Sequence, residues 1–234
     1  MNSKILYKAS SSDLKKSLKY DPIKDNKSGM GRSAILKRSE KVYIQTPKMY
    51  CPFGVSDYNG NYSISLSFSK RDDKNGNIEK FEKFMNSLDE MIVEEIVNNK
   101  KWLECLNVSK KIKKKEIIKT VVEGFYTNVV KESSKKDLNG NVYPSLLKIK
   151  IPKYKDGNFV TTLWTKNGEE TEKLTDGTIH DRIPKGCSIR VLFQVQKIWF
   201  SGGTKCGCSL NAIQMKVYKN KSNTNKCLLN NDEE

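Results

Sequence analysis

The sequence predicts a mainly β protein with inserted helices, an α+β chain, and three observations carry that prediction. Ile183 to Lys219 reads as two long strands joined by a tight glycine turn. Tyr62 to Ser69 alternates apolar residues with serines, which is the two-residue period of a strand with one face on a core. From Ile78 the apolar spacing changes to three and four, the period of a helix.

Composition bounds the partners. The chain has 234 residues, one large domain or one domain with long insertions. Only 36% of it is hydrophobic, but ten Tyr, eight Phe and three Trp can supply a core. Lys and Arg number 43 against 27 Asp and Glu, so the net charge is +16 and the field attracts polyanions, nucleic acid first and anionic membrane second. A lysine-rich proteome from an AT-rich genome raises the same charge without any function. No apolar stretch reaches membrane-spanning length and no signal-peptide core follows the N-terminus, which leads us to expect an intracellular protein with reduced cysteines and no membrane partner.

Residues 1–39 hold ten Lys or Arg against three acids and read as a basic, partly disordered arm. A short helix fits Asp13 to Tyr20, capped by Ser12 or Asp13. Residues 40–219 form the predicted folded domain, with a helical insertion at about 77–120, and residues 220–234 a polar tail ending in acids. Val42 to Ile44 suggests a first strand, ended by Pro47. In the Tyr62 to Ser69 strand, Ser63, Ser65, Ser67 and Ser69 fall on the outward face, as solvent-facing fillers or as contacts to a nucleic-acid backbone.

The helix from Ile78 to about Asn99 sets Ile78, Phe81, Met85, Leu88, Met91, Ile92 and Ile96 in one stripe. Glu79, Glu82, Asp89, Glu90, Glu94 and Glu95 lie off that stripe, which argues against this surface touching phosphates. Trp102 follows in a second short helix and is assigned to the core. Lys110 to Lys119 is the densest basic run, either a phosphate-facing turn or a solvated helix face. Val121 to Val130 leans to strand near Phe125 to Val130. Ser145 to Ile151 is a strand with Lys148 and Lys150 on one face, Tyr154 to Gly157 a turn, and Phe159 to Trp164 another strand.

In the closing hairpin, Cys187 to Phe200 places Ile189, Val191, Phe193 and Val195 on one face and Arg190, Gln194 and Gln196 on the other. Gly202 and Gly203 supply the positive φ of the turn, and Cys206 to Tyr218 is the return strand. Arg190, Lys197, Lys205, Lys216 and Lys219 make the hairpin basic, with Trp199 and Phe200 beside the turn. Lysines track phosphates and flat rings stack on bases, so this pattern suits a single-stranded nucleic-acid platform. It also suits a half-buried hairpin whose lysines only keep it soluble.

Catalytic motifs are missing. There is no Walker A loop, GxSxG, HExxH or GxGxxG, and we expect no enzyme and no cofactor. His180 is the only histidine; with Asp176 and Asp181 it is the one cluster on which an acid–base or metal role can be imagined. The six cysteines give no CxxC pair. Cys206 and Cys208 share a strand face, where they are structural thiols or, with Cys187, Cys227 or His180, zinc ligands.

Several segments, in order, carry a resemblance. Lys185-Gly186-Cys187 leads into the alternating Val191 to Val195. Trp199 precedes the Gly202-Gly203 loop, and Leu210-Asn211-Ala212-Ile213-Gln214 follows. Tyr58 to Ile64 and Tyr143 to Pro152 are weaker matches. Together they resemble the single-stranded DNA-binding proteins of lytic bacteriophages and their counterparts in nucleocytoplasmic large DNA viruses. The resemblance implies an OB-fold-like antiparallel barrel with a central helix and a C-terminal β-hairpin. It implies sequence-independent binding of single-stranded DNA in viral replication and recombination, at a cytoplasmic replication site or in the virion. Polymerase, helicase and a second copy of the chain are further candidate partners. On that view Trp199, Phe200, Trp164 and Tyr154 stack on bases, and Arg190, Lys197, Lys205, Lys216, Lys148 and Lys150 contact phosphates. The family's long acidic tail shrinks here to Asp232 to Glu234, and the basic arm is a departure. The alternative is a structural or virion-associated protein that binds polyanions through its arm and lysine run.

Overall fold

A computed structural model describes residues 4–6, 18–26, 31–35, 42–70, 73, 75–164 and 174–218. Of the helix expected from Asp13 to Tyr20, residues 13–17 lie outside the described residues, as do Cys227 and the acidic tail, and Leu18 to Tyr20 are not helical. The fold is a mixed sheet with a few helices.

Five strands organise it. These are β5 (Met49–Cys51), β7 (Asn61–Ser67), β10 (Leu146–Ile151), β12 (Cys187–Ser201) and β13 (Lys205–Tyr218). β12 pairs with β5, β5 with β7, β7 with β10, β10 with β13, and β13 with β12, so the pairings return to their starting strand. The resemblance implied an antiparallel barrel, but the sheet is not wholly antiparallel, and for the ring the odd strand number is the reason. Five strands in a ring cannot all alternate direction, so one junction must be parallel; here it is β10 against β13, through Lys150 opposite Asn211. The buried Thr161 hydroxyl supports this thin seam by donating to the Ala212 carbonyl at 2.9 Å.

Shorter strands extend the sheet. β1 (Lys4–Leu6) pairs in parallel with β4 (Val42–Gln45), which meets β12 at Leu192 and Phe193. Between β4 and β5, the buried Thr46 continues the ladder: its N–H donates to the Val191 carbonyl, and its hydroxyl accepts the Val191 N–H at 3.0 Å. β2 (Lys24–Asp25) pairs with β3 (Arg32–Ile35), and β3 lines the far half of β12, from Lys197 to Phe200. Part of the segment before residue 39 is thus a strand of the sheet. β6 (Val55–Tyr58) forms a hairpin with β7. β8 (Tyr126–Thr127) runs beside β13, β9 (Val130–Lys131) beside β10, and β11 (Thr162–Trp164) beside β13.

Inside the ring lie Ile64, Leu66, Leu147, Ile149, Ile189, Val191, Phe193, Val195 and Ala212. β12 and β13 continue past it, and their inward side there is covered by helices. α1 (Asn77–Asn98) starts where Asp73 accepts the N–H groups of Asn77 and Ile78 at 2.8 and 2.7 Å. It buries Phe81, Met85, Leu88, Ile92 and Ile96, the predicted stripe, with Phe81 against Phe68 at 6.1 Å between ring centroids. α2 (Lys100–Leu103) seats Trp102, buried as expected, edge-on to both Tyr20 and Phe200. α3 (Lys115–Phe125) packs on α1, and the four-residue α4 (Ile179–Arg182) precedes β12.

Asp89 differs from expectation. It is buried rather than solvated, and it accepts the Tyr126 hydroxyl at 2.8 Å and the Val129 N–H at 3.0 Å. Burial raises its carboxyl to about 6 from the ordinary 3.8, although hydrogen bonds from Tyr126 and Val129 oppose the rise. It takes the Val129 N–H out of strand pairing, and β8 before it pairs with β13 whereas β9 after it pairs with β10. The strand expected over Phe125 to Val130 is therefore two short pieces, and α3 runs through Phe125. The strand expected from Phe159 likewise narrows to Thr162–Trp164: Phe159 and Val160 bond back to Lys153 and Pro152 instead of joining β13.

Candidate nucleic-acid interface

Residues opposite one another in a pairing point to the same side of a sheet, so the register fixes the outward face row by row. One row across β7, β10, β13 and β12 reads Ser63, Lys150, Asn211, Gln194. A second, across β11, β13 and β12, reads Trp164, Lys216, Arg190. A third continues from Thr162 through Gln214 and Leu192 to Gln45 of β4. A fourth reads Tyr218, Ser188, Tyr50, Ser67 across β13, β12, β5 and β7. Toward the turn, Lys197 lies opposite Ser209 and Ile35, and Trp199 opposite Gly207 and Ser33. From β2 to β13, no outward strand position so placed carries a carboxylate.

A bulge sorts the hairpin's aromatics. Up to Val195 the odd residues of β12 face inward; the register then slips between Val195 and Lys197, and Ile198 and Phe200 take the inward positions. Lys197 and Trp199 thereby join Arg190 on the outward face. Phe200, expected to stack on bases beside Trp199, is instead 2% exposed and packed on Trp102. A second slip leaves Ile213 unpaired in β13.

Trp199 lies flat against its cross-strand neighbour. A Cβ on Gly207 would sit 2.8 Å from the indole and 3.1 Å from the Thr127 carbonyl, so only glycine admits the ring there. Trp164 is held by a bond from its indole N–H to the Thr162 hydroxyl at 3.2 Å. Lys148 and Lys150 are exposed on β10, and Lys131, opposite Leu146, joins them. Partial burial, together with Lys197 and Lys148 nearby, lowers the Lys150 ammonium from its ordinary value. No carboxylate among the described residues pairs with Arg190, Lys197, Lys216, Lys148, Lys150 or Lys131.

The remaining predicted residues fall elsewhere. Lys205 is exposed at the hairpin turn, opposite Ser201. Tyr154 is 60% exposed in the turn beyond β10, outside the sheet rows. The serine strip is only partly solvent-facing: Ser65 and Ser69 are half-buried, and Ser63 and Ser67 are 5% and 6% exposed, because Lys150 and Tyr50 stand opposite them and are far larger. The lysine run is exposed from Lys110 to Lys115 and is tied to the hairpin turn, where the Asn107 N–H donates to the Gly203 carbonyl at 2.6 Å.

Four face residues escaped the sequence reading: Lys131, Lys48, Tyr50 and Tyr218. Tyr218 is flanked by Lys48 and Lys216, whose ammonium nitrogens lie 5.1 and 6.0 Å from its ring centroid. Its two-residue spacing from Lys216 was a usable signal; Lys48 and Tyr50 gave none, since their placement depends on the pairing of β5.

Asp176 and His180 have structural surroundings. Asp176 pairs with Lys153 and bonds Tyr62, which hold its carboxyl below the ordinary range, and Lys153 sits over the rings of Tyr62 and Phe159 at 4.5 and 4.9 Å. His180 is exposed on α4 near Tyr62. Among the described residues, no three His, Cys, Asp or Glu side chains gather as a metal set. Cys206 and Cys208 do share the inward face, opposite Phe200 and Ile198, and burial pushes the Cys206 thiol up to about 12. Among the described residues no helix is long and apolar enough to cross a membrane.

No family model and no curated protein matches the chain. Among solved structures it is similar to the single-stranded DNA-binding protein of bacteriophage Enc34 in complex with ssDNA, at 16% identity and TM-score 0.44, covering 81% of this chain and 92% of that one. The C-terminal truncation of the same protein gives 18% identity and TM-score 0.45, over 87% and 97% of the two chains. The single-stranded DNA-binding protein gp2.5 of bacteriophage T7 gives 11% identity and TM-score 0.40, over 80% and 98%. Overlap at this level does not fix a shared fold, and what the face can bind follows from its own residues.

Proposed function

We propose that the chain binds single-stranded DNA, without sequence preference, across the outward face of the sheet. The observation that carries this is the composition of that face: Arg190, Lys197, Lys216, Lys148 and Lys150 alternate with Trp164, Trp199, Tyr50 and Tyr218, and no acid interrupts them. Cations on such a face follow the phosphates, and rings stack on bases of any identity. The acids of α1 support the same polarity, since Glu90, Glu94 and Glu95 are exposed on the helix covering the opposite side of the sheet. The closed ring, with helices inserted between β7 and β10, supports an OB-type barrel, the architecture such binders use. The chain then acts by binding rather than catalysis. The hairpin's resemblance to phage and large-virus proteins supplies the setting, viral DNA replication and recombination, with replication proteins as further partners.

The second reading is a polyanion binder acting through its N-terminal arm and lysine run. It is favoured by the exposed run, in which Lys110, Lys111, Lys113, Lys114 and Lys115 pair with no carboxylate among the described residues. Fluorescence-anisotropy titration with a single-stranded oligonucleotide and its duplex, at two salt concentrations, separates the two. The barrel face predicts preference for the single strand with quenching of tryptophan emission. Equal, steeply salt-dependent affinity without quenching would transfer function to the arm and lysine run.

A further inference from the structure

The outward face carries a recess. Between Trp164 and Arg190 lies a cleft of about 270 Å³, lined also by Gln45, Leu192, Gln214, Met215 and Lys216. Trp164, Lys216 and Arg190 occupy one row on three adjacent strands, so two strand spacings, about 10 Å, separate the indole from the guanidinium at the backbone. Lys216 stands between them in register, but its ammonium leans along β13 toward Tyr218 and leaves the middle of the row open. One flat ring stacked on both sides needs two contact gaps, about 7–8 Å; two rings would need about 11–12 Å. The row therefore fits one ring.

Arg190 adds a second observation. Its Nε is buried and has no hydrogen-bond partner among the described residues. Buried donors are ordinarily paired, and an orphan in a recess of this kind points to an absent acceptor. Trp164, by contrast, is already oriented by Thr162. We infer that this cleft is a subsite for one unstacked nucleobase, sandwiched between the Trp164 indole and the Arg190 guanidinium with Leu192 beside them. The inference rests on the proposed binding of single-stranded DNA and locates one base within it. Guanidinium and indole planes both stack on nucleobases, and the Arg190 Nε–H takes an acceptor oxygen of the same nucleotide.

The test is an NMR titration of the full chain that follows the indole N–H resonances of Trp102, Trp164 and Trp199. Deoxyadenosine monophosphate should move the Trp164 signal, deoxyribose 5-phosphate should not, and a single-stranded oligonucleotide should move both Trp164 and Trp199. Arg190→Gln should abolish the mononucleotide shift. Trp164→Ala, on the end strand β11, should weaken oligonucleotide binding roughly 5- to 150-fold, whereas Trp164→Phe, which keeps a ring, should retain most of it. An oligonucleotide that moves Trp199 and leaves Trp164 still, or a Trp164→Ala chain of unchanged affinity, would overturn the subsite and leave the binding face standing. No response to the oligonucleotide at all would remove the binding face itself.

Discussion

The inward face of the β12–β13 hairpin carries Ile189, Val191, Phe193, Val195, Ile198 and Phe200, all of them buried. Its outward face carries Arg190, Lys197, Trp199 and Lys216, half-exposed and unpaired with any described carboxylate. The two faces interleave along the same strands, yet one is committed to folding and the other is left open to a ligand. Their difference teaches where each kind of mutation should register. Inward changes should move stability and leave intrinsic affinity alone; outward changes should do the reverse.

The largest effect should come from the inward face. Phe193→Ala empties a fully buried position and should cost about 3–5 kcal/mol of unfolding free energy in a denaturant titration. Phe200→Ala should behave the same way, and a loss of affinity without loss of stability would break the comparison by returning Phe200 to the binding face.

Next comes Asp89, beneath the extended end of the hairpin. Asp89→Ala orphans the Tyr126 hydroxyl and the Val129 N–H and should cost about 2–3 kcal/mol. Asp89→Asn keeps polar atoms in place and should cost little. The folded carboxyl titrates at about 6 against an ordinary 3.8, so folding favours its protonated form. That stability is fully present below about pH 4 and is lost as pH rises through about 6. Wild type should therefore lose ground to Asp89→Asn between pH 4 and 7 in urea midpoints; parallel curves would contradict the shift.

On the outward face, Trp199→Ala should weaken single-strand binding by about 1–3 kcal/mol in anisotropy titrations, with a smaller change in unfolding midpoint than Phe200→Ala. The smallest effects belong to single cations. Lys148→Ala or Lys150→Ala should each lower the slope of log affinity against log salt by about 0.7.

Much of this contrast was legible in the sequence. The alternation from Ile189 to Val195, the paired glycines and the stripe on α1 set the hairpin and the helix at their observed positions, because local period and turn chemistry determine them. The bulges were not legible: Gln196 and Ile213 carry no glycine or proline to mark a slip, yet the slip at Gln196 decides that Trp199 faces out and Phe200 in. Strict alternation would have set Phe200 with Arg190 and Lys197 with the core. Gly207 is only the residue between Cys206 and Cys208 in the sequence; its role, making room for Trp199, exists only across the strand pair. Asp89 read as one acid among six on α1, since its partners Tyr126 and Val129 come from another segment. What the sequence hid was in each case a relation across strands or between segments, which no local period marks.

The central claim, that the outward face holds the strand, is tested most directly by photocrosslinking the full chain to a single-stranded oligonucleotide substituted with bromodeoxyuridine and mapping the linked peptides. Crosslinks at Trp164, Trp199, Tyr50 and Tyr218 are the predicted result. Crosslinks confined to the lysine run around Lys110 to Lys115 or to the turn at Tyr154, with those four aromatics untouched, would contradict it.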